Sequence, residues 1–183
     1  MRKILAFGAS SSKQSINKEL ASYGASQING FESITLDLND FEMPIYSIDK
    51  ENENGIPEQA YEFKEYIKNA DGIIISFAEH NGSYTAAFKN IFDWISRIEK
   101  VVWNHKPMFL LSTSPGERGA ETIMQIANAR ISRESPLKIP FFSLPNFNQN
   151  FDKEKGITDE KLNSRFKKSL HLFESQLSSN KGV

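Results

Sequence analysis

The stretch GASSSKQSIN, residues 8–17, follows directly on the apolar run KILAF. It carries four serines, Ser10, Ser11, Ser12 and Ser15, with a single glycine and no arginine. Hydroxyls at a helix start suit an anion, because the first backbone N–H groups there lack partners and the helix dipole is positive. The same serines also suit a helix cap, so composition alone leaves phosphate binding and capping both open. Lys13 is the one fixed charge inside the loop. The stretch is not a P-loop, which ends in Gly-Lys-Ser/Thr, nor a dinucleotide fingerprint with three spaced glycines.

A second cluster is Glu79, His80, Asn81, Gly82 and Ser83, between an apolar run and a helical pattern. It offers a carboxylate, an imidazole and closely spaced backbone amides. Taken singly, Glu79 reads as a solvated charge and His80 as a loop residue. Ser83 lies outside any Gly-x-Ser-x-Gly elbow, so a hydrolase triad has little support. The other histidines, His105 and His171, are distant in sequence and there is no Cys, so no metal site is expected. A third segment, SPGERG, contributes Ser114, Gly116 and Gly119. Glycine lets backbone approach a ligand closely, although a loop leading into a helix reads the same way.

The absence of Cys excludes disulfides and thiolate nucleophiles, so any redox chemistry requires a bound cofactor. A formal net charge of −1 gives no reason to expect a nucleic-acid partner. The start MRKILAFGAS imitates a secretory signal, but its apolar stretch is short, and a first strand in a cytoplasmic protein is the expectation. No apolar run reaches the ~20 residues of a membrane-spanning helix. The 183 residues suit one domain over 1–178, with a frayed tail at 179–183.

Periodicity places strands at residues 3–10, 33–38, 72–77, 107–114 and 140–144. Helices are expected at 17–29, 57–69, along the stripe Phe88, Ile91, Phe92, Ile95 and Ile98, and at 120–135. A last helix carries Leu162, Phe166, Leu170, Phe173 and Leu177, capped by Thr158 or Asp159. Residues 39–55 are polar, contain Pro44 and read as a long loop. Alternating buried strands and helices predict an α/β fold. The economical form is a flavodoxin-like, doubly wound five-stranded parallel sheet of order 2-1-3-4-5 with helices on both faces. Its ligand site lies outside the carboxyl ends of the strands, where the three clusters above fall.

Together these segments resemble the NADPH-dependent FMN reductase family, which includes flavin, quinone, azo-dye and chromate reductases. The family reads Glu-Tyr-Asn-Gly-Ser, then Pro two residues on, then Leu-Lys-Asn and Ile-Asp-Trp. Glu79, Asn81, Gly82, Ser83, Lys89, Asn90, Asp93 and Trp94 match in register, with Phe88 and Phe92 as conservative replacements. In the first loop the family reads Gly-Ser-x-Arg-x-x-Ser-x-Asn. Ser10, Ser15 and Asn17 fall into place, while Ala9 stands for Gly and Ser12 for Arg. Ser114, Gly116 and Gly119 resemble the family's Ser-x-Gly-x-x-Gly turn.

The resemblance implies a noncovalent FMN with its phosphate on Ser10, Ser12, Ser15 and Asn17. Its ring is then expected between Glu79, His80, Asn81, Gly82 and Ser83 on one side and Ser114, Gly116 and Gly119 on the other. NADPH or NADH is the implied reductant, and a flavin, quinone, azo compound or metal oxyanion the acceptor, in a ping-pong cycle. No side chain need act as acid or base. An amide of Gly82 or Ser83 would tune the flavin, and His80 is a candidate modulator. A homodimer or homotetramer is implied, with Trp94 and Trp103 flanking the helix and loop expected to form it, although Trp94 reads equally well as a core residue. Three departures are notable. Ser12 removes the cation usually set against the phosphate, His80 replaces Tyr, and Thr85 replaces Pro and is expected to loosen the following helix. The rival readings are a flavodoxin-like electron carrier and an FMN-binding protein without turnover. The carrier's Thr/Ser-x-Thr-Gly-x-Thr loop and strong acidity are absent.

Overall fold

The computed structural model describes residues 1–179. Five apolar runs form parallel strands: β1 (Lys3–Ala9), β2 (Glu32–Leu36), β3 (Gly72–Phe77), β4 (Met108–Thr113) and β5 (Phe141–Leu144). They lie in the order β2-β1-β3-β4-β5, as expected. β3 and β4 are buried along their whole length, which explains why they read as continuous apolar runs rather than alternating ones.

Alternation along β1 divides the core in two. Leu5, Phe7 and Ala9 face a layer built from α3 (Glu58–Asn69), α4 (Ala86–Ile98) and α5 (Glu121–Ile131). Ile4 and Ala6 face α1 (Ile16–Ser26) and α7 (Glu160–Ser179) on the other side. The expected α7 stripe is the buried one: Phe166, Leu170, Phe173 and Leu177. Asp159 caps it, accepting a hydrogen bond from Leu162 N–H at 2.8 Å. α7 continues through Ser179, where the frayed tail was expected to begin, and the rest of that expectation, residues 180–183, lies outside the described residues.

Residues 39–55 are not a single loop. They hold most of a 3-10 turn, Leu38–Phe41, and a helix α2, Ile48–Asn54. α2 buries none of its residues, so it has no apolar stripe to announce it. It stands on local signals instead. Ser47 caps Lys50 N–H, Asp49 and Glu51 sit in the first turn, and Gly55 ends it with φ 74°. A short helix α6 (Phe147–Asn150) and a two-stranded hairpin, β6 (Phe151–Asp152) with β7 (Gly156–Ile157), were not expected from the periodicity. Each is too brief to carry a hydrophobic period.

At the amino edge of the sheet, Lys64 is 1% exposed and holds the segment before β4. Its Nζ donates to Val101 O, Val102 O and Asn104 Oδ1, and pairs with Glu99 at 3.1 Å. Burial pushes the Lys64 ammonium below its ordinary pKa. Hydrogen bonds from Asn104 and Lys64 hold Glu99 down to about 2. Among the described residues no helix is long and apolar enough to cross a membrane, and no cluster of His, Asp or Glu has metal-site geometry.

Candidate functional site

The first loop connects β1 to α1. Ser15 caps α1, its Oγ accepting from Lys18 N–H at 3.1 Å, and Ser10 Oγ accepts from Ser12 N–H at 3.1 Å. Two of the four hydroxyls therefore already shape the loop, while Ser11 and Ser12 are exposed. The N–H groups of Ser11, Lys13, Gln14, Ile16 and Asn17 have no hydrogen-bond partner among the described residues. Consecutive unpartnered donors at a helix start form an anion nest. Lys13 is exposed and makes no ion pair among the described residues. Lys18 is committed elsewhere: it holds Asp37 at 2.6 Å, and that contact is the leading cause of the lowered Asp37 pKa.

Asn17 differs from its expected role. Its side chain is 3% exposed and bonded inside the fold. Oδ1 accepts from Ser76 Oγ at 2.7 Å and Thr113 N–H at 3.1 Å, and Nδ2 donates to Thr113 O at 3.1 Å. The amide thus ties α1 to the ends of β3 and β4, and the Asn17 backbone N–H is unpartnered among the described residues.

In the second loop, His80 and Ser83 exchange both backbone hydrogen bonds, at 3.1 and 3.0 Å. Asn81 and Gly82 between them have φ 51° and 72°, the positive pair that an Asn-Gly type I′ turn demands. The amide of Ser83 is therefore used within the turn, which corrects its expected role as a flavin donor. The Asn81 and Gly82 N–H groups remain without partners among the described residues. His80 is exposed at this turn. Glu79, expected beside a ligand, accepts instead from Ile123 N–H at 3.0 Å. The N-cap of α5 is Ala120, which is in the left-handed region at φ 59° and makes no side-chain cap. Glu79 supplies that cap from another loop.

Thr85 does not loosen α4 as expected. Its hydroxyl donates to Ala9 O at 2.9 Å and accepts from Phe88 N–H at 3.2 Å, so it caps the helix and anchors the first loop. Tyr84 packs on Phe77 and Phe88, and its buried hydroxyl has no partner. Burial pushes this phenol up to about 12.

In the third loop, Gly116 N–H donates to Ser114 Oγ at 3.3 Å, and Gly116 is exposed; a Cβ there would make only an ordinary contact with Ser114 Oγ, at 3.8 Å. Gly119 is buried. A Cβ there would lie 2.7 Å from the Leu144 backbone, so its glycine serves close packing on β5 rather than approach to a ligand. Asn146 and Phe147 fasten the loop further by donating to Gly116 O and Ser114 O.

Trp94 and Trp103 are 1% and 3% exposed and belong to the core, the alternative that Trp94 left open. Asn90 and Trp94, four apart and so on one helix face, hold the segment before α2. Asn90 Nδ2 donates to Met43 O, its Oδ1 accepts from Tyr46 N–H, and Trp94 Nε1 donates to Pro44 O at 2.7 Å. The matched Lys-Asn and Asp-Trp residues are thus mostly structural. Their i, i+4 spacing was the readable sign. A cavity of about 200 Å³ opens between Ser11, Phe41, Met43 and Ala86–Ala87.

A doubly wound sheet with an anion nest after its first strand, and two braced loops on the same edge, defines a flavodoxin-like nucleotide-binding architecture. The family model for NADPH-dependent FMN reductase matches residues 2–129, and the chain belongs to that family. A 2-hydroxy-1,4-benzoquinone reductase of a Burkholderia species is 36% identical over 119 residues, 64% of this chain and 63% of that one. An NADPH:quinone oxidoreductase of Arabidopsis thaliana is 30% identical over 70% of this chain and 66% of that one. The matched stretches thus span just under two thirds of these curated relatives. Among solved structures, the flavoenzyme NAD(P)H:(acceptor) oxidoreductase FerB of Paracoccus denitrificans superposes with TM-score 0.76 over 98% of both chains, at 22% identity, and supports the fold.

Proposed function

We propose that the chain is an FMN-dependent oxidoreductase that moves reducing equivalents from NADPH or NADH to a small acceptor. The observation that carries this reading is the run of unpartnered N–H groups in the first loop, beside exposed Ser11, Ser12 and Lys13. A phosphate monoester fits this set: many neutral donors, one mobile cation and a helix dipole. The N–H groups of Ser11, Lys13, Gln14, Ile16 and Asn17, with the Ser12 hydroxyl, would hold the phosphate, with Ser10 and Ser15 shaping the loop. The turn at His80–Ser83 and the loop at Ser114–Gly116 would hold the ring.

When bound, FMN supplies hydride acceptance and release, while the protein supplies orientation and electrostatics. The Asn81 and Gly82 N–H groups, unpartnered among the described residues, would supply a pair of donors to the ring. Glu79, Asn17 and Thr85 hold the three loops in register, so little reorganisation is needed on binding. His80 borders the ring and modulates it. One opening serves reductant and acceptor in turn, which makes the kinetics ping-pong. The quinone activities in the names of the two curated relatives, and the small, partly apolar cavity beside Ser11, favour a flat acceptor such as a quinone over a bulky one.

Residues 1–178 act as one domain, in the cytoplasm. The exposed Ile45 and Ile48 support self-association as a dimer or tetramer. Initial rates measured at several quinone concentrations against NADPH test the cycle. Parallel double-reciprocal lines are expected. Intersecting lines contradict the shared opening.

A further inference from the structure

We infer that the groove over β5, between α5 and α7, receives the anionic adenosine end of the pyridine nucleotide. This rests on the reductase reading above and extends it to Arg118, at a position the third-loop motif leaves unspecified, and to Arg165, outside every family motif in this chain.

The groove encloses about 370 Å³. Arg118 of the third loop, Phe141 of β5 and Arg165 of α7 all line it. Three of the chain's arginines, Arg2, Arg97 and Arg130, are each paired with a carboxylate. Arg118 and Arg165 make no ion pair and no side-chain hydrogen bond among the described residues. Two unpaired guanidinium groups lining one groove suit bidentate recognition of phosphate oxygens.

The floor suits a base. Phe141 is 50% exposed, an unusual state for a strand aromatic with no partner above it. The Arg165 guanidinium carbon lies 5.9 Å from the Phe142 ring centroid. An adenine can stack on such an aromatic and guanidinium surface. Glu117 and Glu121 line the same groove, and their carboxylates are suitable acceptors for ribose hydroxyls.

The route from the flavin site is short and fixed. Gly116 belongs to the ring-facing loop, Arg118 is two residues on, and Gly119 packs against the backbone at the end of β5. A nicotinamide placed over the ring can therefore extend its phosphates along Arg118 into the groove. The neighbouring cavity at Lys13, Lys18, Tyr23 and Lys153 is larger, about 530 Å³, but Lys18 and Lys153 there are already paired with Asp37 and Glu19.

The test uses FMN-loaded protein, the variants Arg118→Ala and Arg165→Ala, and three reductants: NADPH, NADH and 1-benzyl-1,4-dihydronicotinamide, which has no adenosine or phosphate. Each variant is expected to raise KM for NADPH tenfold or more with kcat held, and to leave the rate with the benzyl donor unchanged. Equal losses with NADH place the pyrophosphate between the arginines, and a loss confined to NADPH places the 2′-phosphate there. Calorimetry with adenosine 2′,5′-bisphosphate and with ADP provides a second readout: binding to the parent protein, weakened tenfold in the variants. Unchanged KM for both nucleotides, with unchanged calorimetric binding, overturns the subsite while leaving the reductase reading intact. No flavin reduction by any donor in the parent protein overturns that reading and the subsite with it.

Discussion

At the scale of single residues, the site divides into side chains that brace and backbone that binds. Asn17 is the clearest brace. Removing its amide leaves Thr113 N–H, Thr113 O and Ser76 Oγ without their partner, each in a buried setting. Asn17→Ala is expected to cost about 2–4 kcal/mol, at about 1–3 kcal/mol per stranded group with partial relaxation, read as a shift in urea midpoint. Glu79→Ala should weaken flavin retention and lower the melting temperature, because Ile123 N–H loses its acceptor. Glu79→Gln keeps an acceptor oxygen and should restore both; a flavin contact requiring the charge would leave Gln as weak as Ala. Tyr84→Phe removes a buried hydroxyl that has no partner, so it should leave stability unchanged or raise it by up to about 1 kcal/mol in the same denaturation assay. Ser12→Arg would add a cation beside the proposed phosphate nest. A tenfold tighter FMN, about 1.4 kcal/mol, is expected in a fluorescence-quenching titration. The types of these residues were legible in the sequence, but their division of labour was not. Asn17 meets its main partner 96 residues away, and Glu79 caps a helix 44 residues on. Neither relation leaves a local signal.

At the scale of elements, legibility followed burial. β3 and β4 are covered on both faces and appear as unbroken apolar runs, so their bounds were read within a residue. α2 buries nothing and was read as loop, although Ser47 and Gly55 bracket it with ordinary cap signals. The stripe of α4 was legible, but the hydrogen bonds of Thr85 at its start were not, because one of them reaches Ala9, 76 residues away. Thr85 has φ −63°, which Pro also adopts, yet only Thr supplies the two hydrogen bonds. Thr85→Pro should therefore destabilise the fold by ~2 kcal/mol, from a lost cap and a stranded Ala9 carbonyl, measurable by thermal unfolding. The Lys64–Glu99 clamp gives a pH signature at the opposite edge. The folded-state pKa of Glu99 is about 2, below its ordinary value of 4.5. Its stabilising contribution is thus complete above about pH 5 and is lost as pH falls toward 2. Glu99→Gln should flatten the melting-temperature profile across that window, and an unchanged profile would show that the clamp does not set acid stability.

At the scale of the whole molecule, one sheet edge gathers the chemistry because the strand order reverses beside β1, which separates the loops after β1 and β3. The two-layer core fixes that edge from both faces, and the chain's own hydrogen bonds then fix the loops to each other. This architecture was legible in the alternation of elements, and the family in its loop motifs. The groove at β5 was not, since it is assembled from a loop, a strand and α7 that lie far apart in sequence. The apolar residues left exposed at Ile45 and Ile48 predict self-association, and sedimentation of a monomer at micromolar concentration would argue against it. The central claim is flavin-dependent oxidation of a pyridine nucleotide, and anaerobic titration tests it most directly. The purified protein, loaded with FMN, is expected to bind one flavin per chain and to lose its visible absorbance promptly on addition of NADPH or NADH, then regain it on addition of a quinone. Bound flavin that stays oxidised with excess of either nucleotide would contradict the account.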